Sequence, residues 1–349
     1  MNELVLAQVR NGIGHLTLNR PSGLNALNLE MIRLLSQHLR SWQTDPAVRA
    51  VVLRGNGDKA FCAGGDIRML YDSHKAGSDQ HFVFFDEEYA LDQLIHGYAK
   101  PVLALLDGFV LGGGMGLVQG AWRRVIGERC RMGMPETAIG FFPDVGGSYF
   151  LPRLPGALGI YLALTGEQVG VADALYAELA DQHLPRARWA QLDQALDQQA
   201  WGEDIRGDLG QLLDSLASEP PEAGVLAAQR PAIDEHFSHT NLETLLEGLA
   251  REQRQEHATW AAQTLATLRS RSPLAVAVTF ALMRRGARLS LAQCFAQEQA
   301  LGRQWFERGD LIEGVRALIV DKDKQPRWQH SRLEAVSEAQ VQALLSAVV

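Results

Sequence analysis

Two carboxylates, Glu136 and Asp144, stand in the segment MPETAIGFFPDVGG (Met134–Gly147) among almost wholly apolar neighbours. Carboxylates in such surroundings are not ordinary solvated surface charges, and they are the groups that exchange protons or attack a carbonyl carbon. Two glycine-rich runs precede them, FCAGGD (Phe61–Asp66) and LGGGMG (Leu111–Gly116). Glycine lets main-chain N–H groups approach a ligand closely, and two such donors can hold a carbonyl oxygen as it gains charge. Donors for an oxyanion beside an acid/base or nucleophilic carboxylate are what acyl chemistry requires.

Other chemistries lack their residues. No G-x-S-x-G elbow surrounds Ser148 in GGSYF, so that serine is not a hydrolase nucleophile. There is no G-x-x-x-x-G-K-[ST] phosphate loop, and GGGMG does not fit the G-x-G-x-x-G of a dinucleotide site. His236, His239 and His257 carry neither H-E-x-x-H nor paired-cysteine spacing, so no metal is expected. What survives is acyl chemistry that needs no metal and no cofactor.

The elements that must position these residues are those of an α/β protein. Leu4–Val9 and His15–Leu18 read as strands around an Asn11-Gly12 turn, and Asn28 as the cap of an amphipathic helix, Leu29–Trp42. A β-branched strand, Val48–Leu53, ends at Gly55; a helical stretch, Phe82–Tyr98, and a strand, Val102–Leu106, follow. FCAGGD lies where a strand-to-helix turn should fall, pointing an N–H, that of Gly65, into a cleft while Asp66 caps the helix through Ile67–Tyr71. LGGGMG opens another helix, whose dipole adds positive potential at its free amides. Val125–Gly127 extends the sheet, and Pro135 reads as a first-turn helix residue. Near Pro185 the texture turns polar, Gln/Ala/Leu-rich and helical, with breaks at Pro220-Pro221 and Pro231. The expected division is an α/β core over residues 1–185 carrying the acyl site, and a helical C-terminal region over 186–349.

Bulk properties fit an enzyme of ordinary composition. The chain has 349 residues, 46% apolar and 21% charged, and a net charge of −8 that argues against a nucleic-acid surface. That total leaves room for a phosphorylated small ligand at a local basic cluster, Arg123/Arg124, Arg284/Arg285/Arg288 or Lys322/Lys324/Arg327, although each also reads as solvated surface. Cys62, Cys130 and Cys294 are odd in number and far apart, which argues against a disulfide framework. No apolar window reaches membrane-spanning length, and MNELVLAQVRNG reads as neither a secretory nor a transit segment, so a cytoplasmic protein without membrane association is expected.

FCAGGD, LDGFVLGGGMGL and MPETAIGFFPDVGGSYFLPRL resemble the crotonase (enoyl-CoA hydratase/isomerase) superfamily, and within it the 3-hydroxyisobutyryl-CoA hydrolase branch. SPLAVAVT (Ser272–Thr279) and LIEGVRALIVDKDKQPRW (Leu311–Trp328) are similar to that branch's C-terminal helices, whereas residues 189–254 match weakly. The resemblance implies a crotonase-like (ββα)n spiral core, with a thioester oxygen held by the N–H groups of Gly65 and Gly113. It implies Glu136 and Asp144 as catalytic carboxylates, Glu88 of DEEYAL touching the substrate, the adenine of coenzyme A against Phe61, Cys62 and Ala63, and Asp66 as a further substrate-binding residue. Coenzyme A enters as part of the substrate rather than as a cofactor, and trimers or hexamers are common in the superfamily. Crotonase-type hydratases carry a second glutamate where this chain has Gly116, and usually a glycine where it has Asp144. Losing one carboxylate and gaining another implies a change of reaction, to hydrolysis of a β-hydroxyacyl-CoA thioester within valine breakdown. Glu136 would act as nucleophile or as general base, with Asp144 orienting it or the water, or protonating the leaving thiolate. The alternatives are a hydratase or isomerase working with one glutamate, and a non-catalytic CoA-binding protein. For Glu88 the acidic run Asp86–Glu88 equally suits a solvated helix face. Charge alone offers Lys59, Lys322 and Lys324 for the coenzyme's phosphates.

Overall fold

A computed structural model describes residues 3–220 and 222–346. The chain begins with an antiparallel hairpin, β1 (Val5–Arg10) and β2 (Ile13–Leu18), paired from Val5 opposite Leu18 to Arg10 opposite Ile13. Its two-residue turn holds Asn11 and Gly12 at φ 46° and 76°, which explains why Asn-Gly stands there. The helix Leu29–Thr44 follows, with the Asn28 side chain accepting from the Met31 N–H at 2.9 Å. Its Trp42 ring lies so near the sheet that a Cβ on Gly14 would sit 2.5 Å from it.

The next strand, β3 (Ala50–Gly55), runs parallel to β2 with Leu16 beside Leu53. A short strand, β4 (Ala60–Cys62), precedes β5 (Val102–Leu106), and β6 (Phe109–Leu111) precedes β7 (Arg123–Ile126). Then come β8 (Arg131–Gly133) and β9 (Gln182–His183). Six strands form one sheet in the order β1-β2-β3-β5-β7-β9, parallel after the first pair, and β4-β6-β8 form a second. This three-stranded sheet escapes a sequence reading because its strands are only three residues long, too short to show a period.

By contact density the chain forms two compact units, each from three segments. One holds Met1–Gly65, Ala90–Met132 and Val169–Gly224; the other holds Asp66–Tyr89, Gly133–Gln168 and Val225–Val349. The expected boundary at residue 185 is therefore not where the chain divides. The helices Trp189–Gln198 and Ile205–Leu216 bury Trp189, Leu192, Leu196, Leu209, Leu213 and Leu216 in one core with Ile13, Val52, Leu103 and Val125 of the large sheet. Burying that leucine face against the sheet's β-branched side chains outweighs the change in composition at Pro185. The expected helical texture itself holds: after β9 the chain contains only helices and connections among the described residues.

The second unit is helical around an aromatic core. Phe141 stacks on Phe142 with centroids 4.3 Å apart, Phe142 meets Trp305 edge-on at 5.3 Å, and Phe85 stacks on Phe141 at 5.8 Å. The Trp305 indole N–H donates to the Gly140 carbonyl at 2.7 Å, fixing the turn that joins Glu136 to Asp144. Pro135 is not a first-turn helix residue as expected. It precedes a four-residue 3₁₀ turn, Glu136–Ile139, that closes at left-handed Gly140 (φ 74°). A glycine there ends the turn after one cycle, so no α-helix propagates.

Candidate active site

In the first unit the two glycine runs lie side by side. β4 and β6 are parallel, with Ala60 beside Phe109 and Cys62 beside Val110, and each leads into its glycine turn. A Cβ on Gly114 would stand 2.5 Å from the Cys62 carbonyl oxygen, and one on Gly64 3.3 Å from the Leu111 oxygen and 3.7 Å from the Gly113 nitrogen. At Gly114 only a residue without a side chain allows that approach, and Gly64 holds φ 100°, a conformation that favours glycine. Gly112 (φ 50°, ψ −119°) turns the chain into the helix Gly113–Gln119, so the Gly113 amide is among the first-turn N–H groups that no intrahelical carbonyl can reach. Gly65 forms a parallel bridge with Leu27 whose hydrogen bond, Leu27 N–H to the Gly64 carbonyl at 2.8 Å, uses the carbonyl of Gly64 and not the N–H of Gly65. The arrangement can present two main-chain donors to one oxygen. Phe61 and Cys62 are fully buried side chains, so a ligand there meets their main chain and that of Ala63. In the second unit, Asp66 caps the helix Ile67–Lys75 as expected, accepting from the Met69 N–H at 3.3 Å.

The second unit gathers the acids. Glu88 lies on the helix Gln80–His96, Glu136 opens the 3₁₀ turn, and Asp144 sits in the PDVGG loop; all three are buried. Burial raises Glu136 well above the usual carboxylate range, and the neighbouring Asp144 charge raises it further. Glu88 is raised by burial first, then by Asp144 and Glu136. Asp144 is pushed up to about 7 by burial, against the pull of a hydrogen bond from Tyr89. Among the described residues, Glu88 Oε1 and Glu136 Oε2 are buried with no hydrogen-bond partner. Buried carboxylates whose charges raise one another resist ionising together, and such a cluster has both an acid and a base to offer.

The acidic run that left Glu88 ambiguous is divided by helix rotation. Asp86 bonds Arg303 and Gln299 and is partly exposed, whereas Glu88 turns into the interior with 2% exposure. Three partners had no sequence signal. The Tyr89 hydroxyl donates to Asp144 Oδ2 at 2.6 Å. Glu298, on the helix Leu291–Arg308, accepts from the Gly146 N–H at 2.8 Å, the Ser148 N–H at 2.9 Å and the Ser148 hydroxyl. Burial pushes Glu298 up to about 8 while those donors pull against it. Ser148, excluded as a nucleophile from sequence, serves as a donor to that carboxylate. Glu298 lies about 150 positions from the residues it holds, and no motif spacing links side chains so far apart.

The remaining candidates fall elsewhere. His236 pairs with Glu252 at 3.0 Å on the buried side of its helix, and no group of three or more His, Cys, Asp or Glu suited to a metal occurs among the described residues. Lys59, Lys322 and Lys324 are exposed.

Residues 13–345 match the enoyl-CoA hydratase/isomerase family. The chain belongs to that family. Its relatives include the mitochondrial 3-hydroxyisobutyryl-CoA hydrolases of Danio rerio, 40% identical over 96% of this chain and 87% of the relative, and of Homo sapiens, 36% identical over 96% and 86%. Among solved structures it is similar to a carnitinyl-CoA dehydratase from Mycobacterium thermoresistibile, with a TM-score of 0.90, 37% identity, and 99% of this chain and 97% of that one covered. An enoyl-CoA hydratase from Rhodobacter sphaeroides gives a TM-score of 0.86 at 36% identity, with 99% and 97% covered. The crotonase-like core with a helical C-terminal region, expected from FCAGGD, GGGMG and PETAIGFFPDVGG, is the observed fold. For an enoyl-CoA hydratase/isomerase family member, the position of Gly116 is telling: it is buried within the helix Gly113–Gln119 and brings no carboxylate.

Proposed function

We propose that this protein hydrolyses a short β-hydroxyacyl-CoA thioester, 3-hydroxyisobutyryl-CoA above all, to the free acid and coenzyme A. The observation that carries the reading is the buried Glu136–Asp144 pair, with Asp144 held by Tyr89 and poised near 7. Two buried acids whose charges disfavour ionising together serve thioester hydrolysis, where one group handles the attacking oxygen and another the departing sulfur. The names of the relatives, 3-hydroxyisobutyryl-CoA hydrolases at 36–41% identity, support the same substrate.

In this reading the Gly65 and Gly113 amides hold the thioester oxygen, and their donors strengthen as charge develops on it. Glu136 either attacks the acyl carbon, giving a mixed anhydride that water then opens, or draws a proton from an attacking water; both routes consume one water and release one thiol. Asp144 supplies the proton to the leaving thiolate. Glu88, with its unpartnered Oε1, accepts from the acyl hydroxyl. Main chain at Phe61, Cys62 and Ala63 receives the coenzyme's adenine, and Asp66 is a further substrate-binding residue. Coenzyme A arrives with the substrate, and the route draws on no resident cofactor. Valine breakdown is the place where such a thioester is consumed.

A second reading, hydration or isomerisation of an enoyl-CoA by a single glutamate, draws support from the two similar structures described as a hydratase and a dehydratase. The test is to incubate the protein with 3-hydroxyisobutyryl-CoA and with crotonyl-CoA while following free thiol and enoyl absorbance. Thiol release from the first is expected. Loss of enoyl absorbance without thiol would replace hydrolysis with hydration.

A further inference from the structure

We infer that Glu298 is a positioning residue for Asp144, acting by locking the loop Asp144–Ser148 in a conformation that its own sequence disfavours. Val145 holds φ 49°, a left-handed conformation that a β-branched residue avoids, at a cost of order 1–3 kcal/mol. Gly146 continues at φ 83°. Consecutive positive φ values turn the N–H groups of residues 146 and 148 to one side, and the Glu298 carboxylate takes both, one on each oxygen, at 2.8 and 2.9 Å. The Ser148 hydroxyl closes the same carboxylate. A buried carboxylate is costly unless its lone pairs are filled, and here main-chain donors of the strained segment fill them.

The lock leaves little slack. Phe295, one turn before Glu298 on the same helix, lies against Gly146 so closely that a Cβ there would stand 3.1 Å from its ring. The Ser148 carbonyl meets Gly286 where a Cβ would be 1.9 Å away. Asp144 is thereby aimed from two directions: Tyr89 holds its Oδ2, and Glu298 fixes the main chain immediately after it. Glu298 makes its hydrogen bonds to this loop alone, and its charge adds to the field at Asp144.

This inference rests on the hydrolase reading of the site, and its test separates the two. Thiol release from 3-hydroxyisobutyryl-CoA is measured for the wild type, Glu298→Gln, Asp144→Asn and the double variant. Glutamine keeps the shape but aims an NH₂ at one of the two amides. Glu298→Gln is expected to lower kcat about 10- to 100-fold, as small misplacements of catalytic groups do, with KM moving less than about threefold. In the Asp144→Asn background the same change is expected to cost less than about threefold, because the group it positions is already gone. Should Glu298→Gln not fold, Ser148→Ala, which removes only the hydroxyl bond, runs through the same cycle with a smaller effect of the same pattern. Losses that multiply in the double variant, or a rise in KM at constant kcat, would overturn the positioning role while leaving hydrolysis standing. A wild type that releases no thiol would overturn both.

Discussion

Tyr89→Phe isolates the contact that sets Asp144. The substitution removes one oxygen from a fully buried ring and leaves its packing against Phe85 and Phe295, at centroid separations of 5.8 and 5.7 Å. A buried hydrogen bond to a charged acceptor is worth about 1.5–3 kcal/mol, which at 1.36 kcal/mol per unit corresponds to a pKa change of about 1–2. The sign follows from which form the bond favours. The phenol donates to the carboxylate, so it stabilises ionised Asp144; without it, only a main-chain hydrogen bond opposes burial and the pKa climbs from about 7. Glu88, Glu136 and Glu298 also face this group through their charges, so the cluster titrates as a coupled set and the shift is read as movement of an apparent value. The assay is the pH dependence of kcat for thiol release, compared between wild type and variant. The limb that crosses neutrality should move upward by about one to two pH units in Tyr89→Phe. A variant profile that coincides with the wild-type one would refute the assignment of that limb to Asp144 and the reasoning that leads to it.

Glu136→Gln is expected to reduce kcat roughly 10²–10⁴-fold, the worth of an acid/base group, while isothermal titration with coenzyme A shows little loss of binding. Asp144→Asn should raise the melting temperature at pH 8 while lowering turnover. The folded-state pKa of Asp144 is raised above its ordinary 3.8 to about 7, so its contribution to stability is full below the lower value and is lost as pH rises through the higher one. Calorimetry between pH 5 and 8 should accordingly show a shallower fall in stability for the variant, and parallel curves would contradict it. Gly114→Ala places a Cβ 2.5 Å from the Cys62 carbonyl, which main chain cannot yield, and should depress coenzyme A affinity and turnover together. Val145→Gly trades relief of a left-handed valine against a lost buried side chain, so denaturant titration should show it roughly 1–3 kcal/mol less damaging than Val52→Gly in β3, where no strain is relieved.

What could be read from sequence was local. Asn28 and Asp66 cap helices through contacts three residues away, Asn11-Gly12 forces its hairpin, and the glycine runs announce close approach by having no side chains. The family motifs pointed to Glu136 and Asp144, which the fold buries beside each other's fields. What stayed hidden was distant or angular. Whether Glu88 faces inward depends on one helix rotation within three consecutive acids. Tyr89 and Asp144, 55 positions apart, meet only in three dimensions, as do Glu298 and Ser148. The boundary at residue 185 failed because a polar, glutamine-rich helix still carries a leucine face, and that face chose its core by shape rather than by composition.

The interleaving of segments has a consequence for biosynthesis. The acid cluster draws on residues near positions 88, 136–148 and 298, so a nascent chain has made most of the large sheet long before the carboxylate that steadies the loop has left the ribosome. Until then, three protonatable groups and a row of phenylalanines have no finished shelter, and contacts of such long sequence separation are slow to close. A polypeptide released early, short of the helix Leu291–Arg308, would keep both glycine runs and the Glu136–Asp144 segment and still lack the brace for its own chemistry.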